Sequence, residues 1–483
     1  MDTTMPKQLL ALIALLLLCL GTHAETRPNI VYIMVDDMGY ADLGCFGSKV
    51  IQTPHIDKLA ANGMKFTDAY AGSTVCAPTR STLMTGYHMG NTYMRLNTGG
   101  CPIRDEDITI AEVMKAAGYR TGGFGKWGLG DINTPGVPEK QGFDTFFGYY
   151  HQIHAHRFYP DYLIHNGKKV QLPGNQNVYQ KFRGTAAVPS TDPNTGQPTQ
   201  FTQDIIFEQM KQFIKDAVKS GEPFFCYAPW TPPHAEYKLP ADDPSWQLYK
   251  DKPWKTDAKV HAAFCSMVDR HAGETIALLK ELGVADNTIV FFTSDNGASK
   301  RFEGSLDSSG PLRGYKRDMH EGGIRTPLIV SWPGKIKPGT TSDLPTYSPD
   351  VMPTLAELAG KKAQAAVPND IDGLSILPTL LGKGEQEAHD YLYWEWARYD
   401  WGKRKLQPNG LMQAVRKDNW KAVKMGGNKP MLLYDLSKDL GEKHDLSAKH
   451  PDIAKEMAEL MESSRTKMLP QFEPDMPQGK KYR

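Results

Sequence analysis

Two stretches decide the fold: Asn29-Ile30-Val31-Tyr32-Ile33-Met34-Val35-Asp36-Asp37 and Thr288-Ile289-Val290-Phe291-Phe292-Thr293-Ser294-Asp295-Asn296-Gly297. Each is an unbroken apolar run that stops abruptly in paired polar side chains. A strand with apolar residues on both faces is covered on both faces, which is the signature of a parallel sheet between helical layers. Pro223-Phe224-Phe225-Cys226-Tyr227-Ala228, which ends before His234, has the same character. In open α/β sheets ligands gather beyond the carboxyl ends of strands, so these three ends mark where chemistry is expected.

Helical spacing of apolar residues fills the intervals, over Thr53 to Ala61, Thr109 to Ala117, Gln203 to Lys219 and Ala258 to Leu282. The fold class is therefore α/β, a large mostly parallel sheet flanked by helices, over residues 25–364. Residues 150–200 are polar without sustained periodicity and read as an insertion that shapes a substrate site. From 365 to 483 a smaller α+β domain is expected, with strands around Leu411 to Val423 and Met431 to Leu436, a helix near Pro451 to Met461, and a loose tail rich in Gln, Pro and Lys.

The chain has 483 residues, 40% of them hydrophobic, with 56 basic against 55 acidic side chains, enough for a large core and two or three domains. This balance offers no electrostatic footprint for nucleic acid. Lys7, the apolar run Leu9 to Leu20 and Gly21-Thr22-His23-Ala24 read as an export signal over residues 1–24. The run's 12 residues would span roughly 18 Å as a helix, short of a hydrocarbon core of about 30 Å, so no stable membrane span is expected. A periplasmic or secreted location follows. With Cys19 in the signal and Cys76 set aside, Cys45, Cys101, Cys226 and Cys265 permit two disulfides, with three pairings open.

Asp36, Asp37, Asp295 and Asn296 offer only oxygen donors, a set that suits a hard cation such as Ca²⁺ or Mg²⁺ rather than zinc. Between them lies Cys76-Ala77-Pro78-Thr79-Arg80, continued by Leu83-Met84-Thr85-Gly86. This C-x-P-x-R…L-x-T-G run resembles the sulfatase signature, whose cysteine a formylglycine-generating enzyme oxidises to an aldehyde. Further similarities follow in the family's order: Gly125-Lys126-Trp127-Gly128-Leu129-Gly130, Pro233-His234, Asp295-Asn296-Gly297, Leu312-Arg313-Gly314-Tyr315-Lys316 and Glu321-Gly322-Gly323-Ile324-Arg325. Asp372-Gly373-Leu374-Ser375 and Leu433-Tyr434-Asp435-Leu436 extend them toward the tail.

The resemblance implies an alkaline phosphatase-like fold and hydrolysis of a sulfate ester, of a sulfated carbohydrate or an aryl alcohol. It implies one calcium ion on Asp36, Asp37, Asp295 and Asn296, completed by formylglycine 76. One hydroxyl of the aldehyde hydrate takes the sulfuryl group, and the other, deprotonated, expels sulfate. Arg80 is implied to brace the hydrate, Lys126 to contact it and the sulfate, and His234 and Lys316 to bind sulfate on the leaving-group side. His234 is the natural general acid, a role Lys316 could share. Gly128 departs from members that carry histidine there, and resembles a branch acting on sulfated carbohydrates. His154 or His156 is expected to enter the pocket in compensation. Trp394, Trp396, Arg398 and Trp401 are candidates to grip an anionic sugar. The superfamily leaves two other readings, a formylglycine-dependent phosphodiester or phosphonate hydrolase and an inactive carbohydrate-binding scaffold.

Overall fold

The structure, a computed structural model, describes residues 27–97, 101–234, 236–400, 403 and 405–468. The expected signal segment, Trp401 and the final tail lie outside the described residues. Strands run in chain order β1 (Asn29–Asp36), β2 (Met64–Phe66), β3 (Ala69–Tyr70), β4 (Arg120–Lys126), β5 (Thr145–Tyr149), β6 (Tyr162–His165) and β7 (Lys168–Gln171). There follow β8 (Ala187–Val188), β9 (Phe224–Pro233), β10 (Leu239–Pro240), β11 (Thr288–Ser294), β12 (Leu328–Ser331), β13 (Thr340–Ser342) and β14 (Thr346–Tyr347). The chain closes with β15 (Leu392–Asp400), β16 (Lys405–Lys417), β17 (Trp420–Lys424) and β18 (Met431–Asp435).

Ten strands form one sheet in the order β13-β2-β12-β11-β1-β9-β4-β5-β6-β7. Its centre, β11-β1-β9-β4-β5, is parallel throughout. The sheet as a whole is mixed, because β12 pairs antiparallel with β11 and β2, and β6 and β7 add an antiparallel edge. The apolar run of β1 is continuous because both faces are covered. Val31, Ile33 and Val35 enter a core with the helices Thr202–Ser220 and Thr256–Glu281. Ile30, Tyr32 and Met34 enter another with the helices Ile110–Ala116 and Val351–Ala359. All four expected helices form within two residues of their expected ends.

The polar insertion is more ordered than its composition suggests. β6 and β7 form a hairpin on Asn166-Gly167, whose φ values of 43° and 75° are the left-handed pair that a two-residue turn requires. Past residue 365 the chain still packs on the large sheet, where Ile376 and Leu380 join the core of Tyr32 and Met34. The small domain is the antiparallel sheet β15-β16-β17-β18. One face is covered by the helix Pro451–Ser463 through Met457 and Met461, and the other meets the large domain around Tyr70, Ile324, Tyr347 and Trp394. No disulfide joins Cys45, Cys76, Cys101, Cys226 and Cys265, so the two permitted disulfides are not formed. Cys76, Cys101, Cys226 and Cys265 are instead buried, where a thiol packs as a small hydrophobe.

Candidate active site

The carboxyl ends of four adjacent strands converge on one point. The β1–β11 register sets Val35 opposite Ser294, so Asp36 and Asp37 leave one strand where Asp295 and Asn296 leave the next. Lys126 is the last residue of β4, and His234 follows β9. Asp37 has a φ of 69°, a left-handed conformation that Asp tolerates better than most residues, and its amide donates to Asp295 Oδ1 at 3.2 Å.

Cys76 opens the helix Cys76–Thr85, every residue of which is buried. Thr79 Oγ1 accepts from the Ser73 amide and donates to the Ser73 carbonyl, both at 3.0 Å, which fixes the loop leading into Cys76. The helix directs the positive end of its dipole at residue 76, where a sulfate would bring negative charge. Cys76 Sγ lies 3.2 Å from Asp36 Oδ1 and 3.1 Å from Lys316 Nζ. Burial, with Asp295 and Asp36 beside it, pushes the unmodified thiol up to about 12. Such a thiol is a poor nucleophile near neutrality.

Three cations and three carboxylates interlock around this position. Lys126 Nζ sits 2.5 Å from Asp36 Oδ2, Arg80 Nη2 lies 2.9 Å from Asp295 Oδ2, and Lys316 pairs with Asp37 Oδ1. Arg80 also donates to the Lys126 carbonyl at 2.5 Å and has no solvent exposure. Burial alone would raise Asp36, yet Lys126, His234, Arg80 and Lys316 hold its carboxyl well below the usual range. Asp295 is pushed up by burial and by Asp36, with Arg80 opposing. Burial disfavours the Lys316 ammonium, but Asp37, Cys76 and Asp36 more than offset it, so the group stays charged.

The donors fit a hard cation. Asn296 Nδ2 donates to Asp37 Oδ1 at 2.7 Å and to the Gly297 carbonyl at 2.9 Å, while its Oδ1 is buried without a hydrogen-bond partner. A buried carbonyl oxygen with no donor, on a residue bonded to a carboxylate, suits a hard cation. Asp36, Asp37, Cys76 and His234 each place one donor atom within 4.8 Å of the others. Of the residues expected to hold calcium, Asp36, Asp37 and Cys76 fall in that group with one imidazole, and Asp295 and Asn296 adjoin it through Asp37. His234 Nε2 is 3.5 Å from Asp37 Oδ2.

Of the two histidines expected in compensation for Gly128, only His156 reaches the cleft, stacked on His234 with ring centroids 4.2 Å apart. Burial, with His234 and Lys126 nearby, holds its ring well below the usual value, hence neutral. His154 turns the other way, edge-on to Tyr149 and against Tyr162 at 4.5 Å. Both lie on one short 3₁₀ turn, His154–His156, where residues two apart point in different directions. A Cβ added at Gly128 would stand 3.7 Å from Gln152 Cβ, so Gln152 occupies the neighbouring space. Gln152 also lines the cleft, and sequence reasoning missed it because the His151-Gln152-Ile153-His154 run drew attention to its imidazoles.

Around residue 76 the cleft encloses about 710 Å³. Among its other walls are Arg157, Glu236 and Arg317, and from the small domain Trp396, Arg398, Tyr399 and Gln407. Of the aromatic residues expected to grip a sugar, Trp394 is buried in the domain contact, its Nε1 donating to the Ala71 carbonyl at 2.8 Å. Arg317 directly follows Lys316, an adjacency that could have flagged it.

The chain matches the Sulfatase family model over residues 28–361 and the N-sulphoglucosamine sulphohydrolase C-terminal model over residues 314–467. It is 32% identical to arylsulfatase A of Homo sapiens, covering 89% of this chain and 86% of that one. It is 30% identical to N-acetylgalactosamine-6-O-sulfatase of Bacteroides thetaiotaomicron, covering 91% and 94%. The crystal structure of Ps i-CgsB in complex with k-i-k-neocarrahexaose superposes with a TM-score of 0.77 at 27% identity, covering 93% of this chain and 96% of that one.

Proposed function

Because the chain belongs to the sulfatase family, and is thus a sulfuric ester hydrolase, we propose that it hydrolyses carbohydrate sulfate esters through a formylglycine made from Cys76, assisted by calcium. The observation that carries this reading is the setting of Cys76. It stands at the buried start of a helix, 3.2 Å from Asp36 and 3.1 Å from Lys316, at the carboxyl ends of four strands. The thiol itself is held protonated, so its place in the site makes sense as the precursor of another group.

The hydrated aldehyde supplies two hydroxyls on one carbon, one to take the sulfuryl group and one whose deprotonation frees sulfate. Asp36, Asp37, Asp295 and Asn296 would hold the calcium, which would supply positive charge to offset the sulfate and favour ionisation of a hydroxyl. Arg80, fully buried and locked to Asp295, orients the start of the helix. Lys126 and Lys316 bring two ammonium groups against the position of residue 76, where they offset charge building on the transferred group. His234, at the mouth of the site, gives its proton to the departing sugar oxygen, with Asp37 Oδ2 at 3.5 Å to balance the ring while it is charged. His156, held neutral, offers a ring nitrogen to take the proton that leaves the second hydroxyl.

Carbohydrate sulfatases among the relatives, the N-acetylgalactosamine-6-O-sulfatase of Bacteroides thetaiotaomicron among them, and the aromatic and cationic walls of the cleft support a sugar substrate. The apolar run at residues 9–20 supports export to the periplasm or medium. Among the described residues no helix is long and apolar enough to cross a membrane. The deciding experiment takes the mass of the peptide containing residue 76 from protein made in its own host, then assays it on sulfated sugars with calcium and with chelator. A loss of about 18 Da at that residue is expected, with sulfate release that chelation abolishes. An unmodified thiol in protein that still releases sulfate would overturn the mechanism.

A further inference from the structure

The cleft is larger and more cationic than one sulfate ester needs. Beyond the ammonium and imidazole groups around residue 76, its walls carry Arg157, Arg317 and Arg398 against one carboxylate among the described lining residues, Glu236. Glu236 has Arg157 as its electrostatic neighbour. Arg317 and Arg398 are exposed, and among the described residues neither has a carboxylate within 4.0 Å. In a chain whose formal net charge is only +1, two unpaired guanidinium groups at one cleft are a concentration of charge with no internal counterpart.

Each is placed there by a local irregularity. Arg317 has a left-handed φ of 74°, unusual for a long side chain, and its amide donates to the Thr74 carbonyl at 3.1 Å. The residue before it, Lys316, reaches Cys76, so one turn presents both cations to the same cleft. On β15, regular alternation would send Arg398 and Tyr399 to opposite faces of the sheet. The register with β16 slips between Ala397 and Tyr399, and this bulge brings both side chains to the cleft. Trp396 stands beside them, and Gln407 faces them from β16.

We propose that Arg317 and Arg398, with Trp396 and Tyr399 as the apolar wall, form a second anion subsite. It would hold a sulfate or carboxylate on the sugar adjacent to the one that loses its sulfate. The substrate class is then a polyanionic oligosaccharide rather than an isolated monosulfated sugar. A planar guanidinium takes either oxyanion through paired hydrogen bonds, and the rings accept a pyranose face. The inference rests on the hydrolase reading above and deepens it.

The test compares kcat/KM for a monosulfated disaccharide, the same disaccharide with a second sulfate on the neighbouring sugar, and one with a uronate carboxylate there. Wild-type protein is compared with Arg317→Asn/Arg398→Gln, in which asparagine keeps the left-handed backbone and both charges are removed. Wild type should prefer a dianionic substrate at least tenfold, mainly through KM, and this preference should weaken with added salt. The double variant should lose most of that ratio. Preference for the disulfated or for the uronate form alone identifies which anion the subsite takes. A wild-type ratio near one, or a ratio unchanged in the double variant, overturns the proposal. The same ratio is read as Kd in Cys76→Ala protein, where no turnover is needed. Failure of wild type to release sulfate from every ester would overturn the hydrolase reading, while the Kd ratio still decides the subsite.

Discussion

Lys421 Nζ lies 2.7 Å from Glu321 Oε1, and neither side chain has any solvent exposure. Lys421 belongs to β17 of the small domain, and Glu321 begins the turn Glu321–Ile324, just after Lys316 and Arg317. Glu442 adds a second carboxylate 3.0 Å from the same ammonium and accepts the Glu321 amide at 2.7 Å. Arg325 holds the other oxygen of Glu321 at 2.5 Å, and Arg416 of β16 reaches Asp68 at 2.7 Å. The segment that carries two cleft cations is therefore pinned between the two sheets by a dry ionic network.

Removing the ammonium should be costly. Lys421→Met takes from Glu442 its ion-pair partner and leaves Glu321 paired with Arg325, with Arg416 farther off, and breaking such a buried pair costs about 3–5 kcal/mol. Burial would raise Glu321, but Lys421, Arg325 and Arg416 hold it well below its ordinary value. Its stabilising contribution is therefore present above the unfolded value near 4.3 and lost as pH falls through the depressed folded value. Urea unfolding of Lys421→Met should show the full loss at pH 7 and a difference from wild type that shrinks as pH falls below about 4. Adding Glu442→Gln should recover part of the loss at pH 7, since one unpaired charge disappears.

The role of His234 is tested through the leaving group. An alcohol oxygen of a sugar departs only with a proton, whereas a nitrophenolate departs readily without one. His234→Gln should therefore lower kcat/KM for a sugar sulfate by about 10²–10⁴-fold and for 4-nitrophenyl sulfate far less. Equal losses on both substrates would mean that His234 binds sulfate without donating a proton.

The parts of the site legible in the sequence were those on the central strands. β1, β9 and β11 are buried on both faces, so their runs are apolar without interruption and the first charged residues mark the strand ends. Motif resemblance supplied Lys126, His234 and Lys316, whose own sequence neighbourhoods say little. The β6–β7 hairpin was readable from Asn166-Gly167 and went unread because its strands are short and β7 is exposed. The outer wall was not readable. Arg398 and Tyr399 share a cleft only because β15 slips register, and no alternation pattern announces a bulge. His154 and His156 parted company on a 3₁₀ turn that spacing alone does not reveal.

Asp269 gives a pH dependence of the opposite sign to Glu321. Its carboxylate, on the helix Thr256–Glu281, accepts the Ile56 amide at 2.7 Å and the His55 amide at 3.2 Å, capping the helix Pro54–Ala61 from outside. Burial is the largest influence and pushes it up to about 6. Between the unfolded value near 3.9 and that value the native state holds a proton the unfolded chain has lost, so stability falls as pH rises. Asp269→Asn removes this slope. The stability of the variant relative to wild type should rise between about pH 4 and 6, by at most about 3 kcal/mol, and then level off. A difference that does not vary with pH would show that Asp269 titrates normally.

In the proposed mechanism the second proton transfer falls to a residue other than Gly128, and the structure separates the two histidines that were candidates for it. His156→Phe keeps a ring stacked on His234 and removes both nitrogens. It should lower kcat by about 10²-fold or more if the ring accepts the proton, with the sulfated enzyme accumulating because sulfate release becomes slow. His154→Phe, between Tyr149 and Tyr162 and away from the cleft, should leave kcat unchanged. Gly128→His does not restore an imidazole to its usual place. The residue has a φ of 81°, which costs a side chain about 1–2 kcal/mol. Its Cβ would lie 3.6 Å from Arg80 Cδ and 3.7 Å from Gln152 Cβ, ordinary van der Waals contacts, so the backbone conformation rather than crowding at Cβ opposes the substitution. Pairing Gly128→His with Gln152→Ala opens room beyond Cβ for the ring, and in the His156→Phe background the pair should recover part of the lost turnover. Mass spectrometry of the residue 76 peptide during steady-state turnover reads the sulfated fraction directly, and a fraction unaltered by His156→Phe would remove His156 from the reaction.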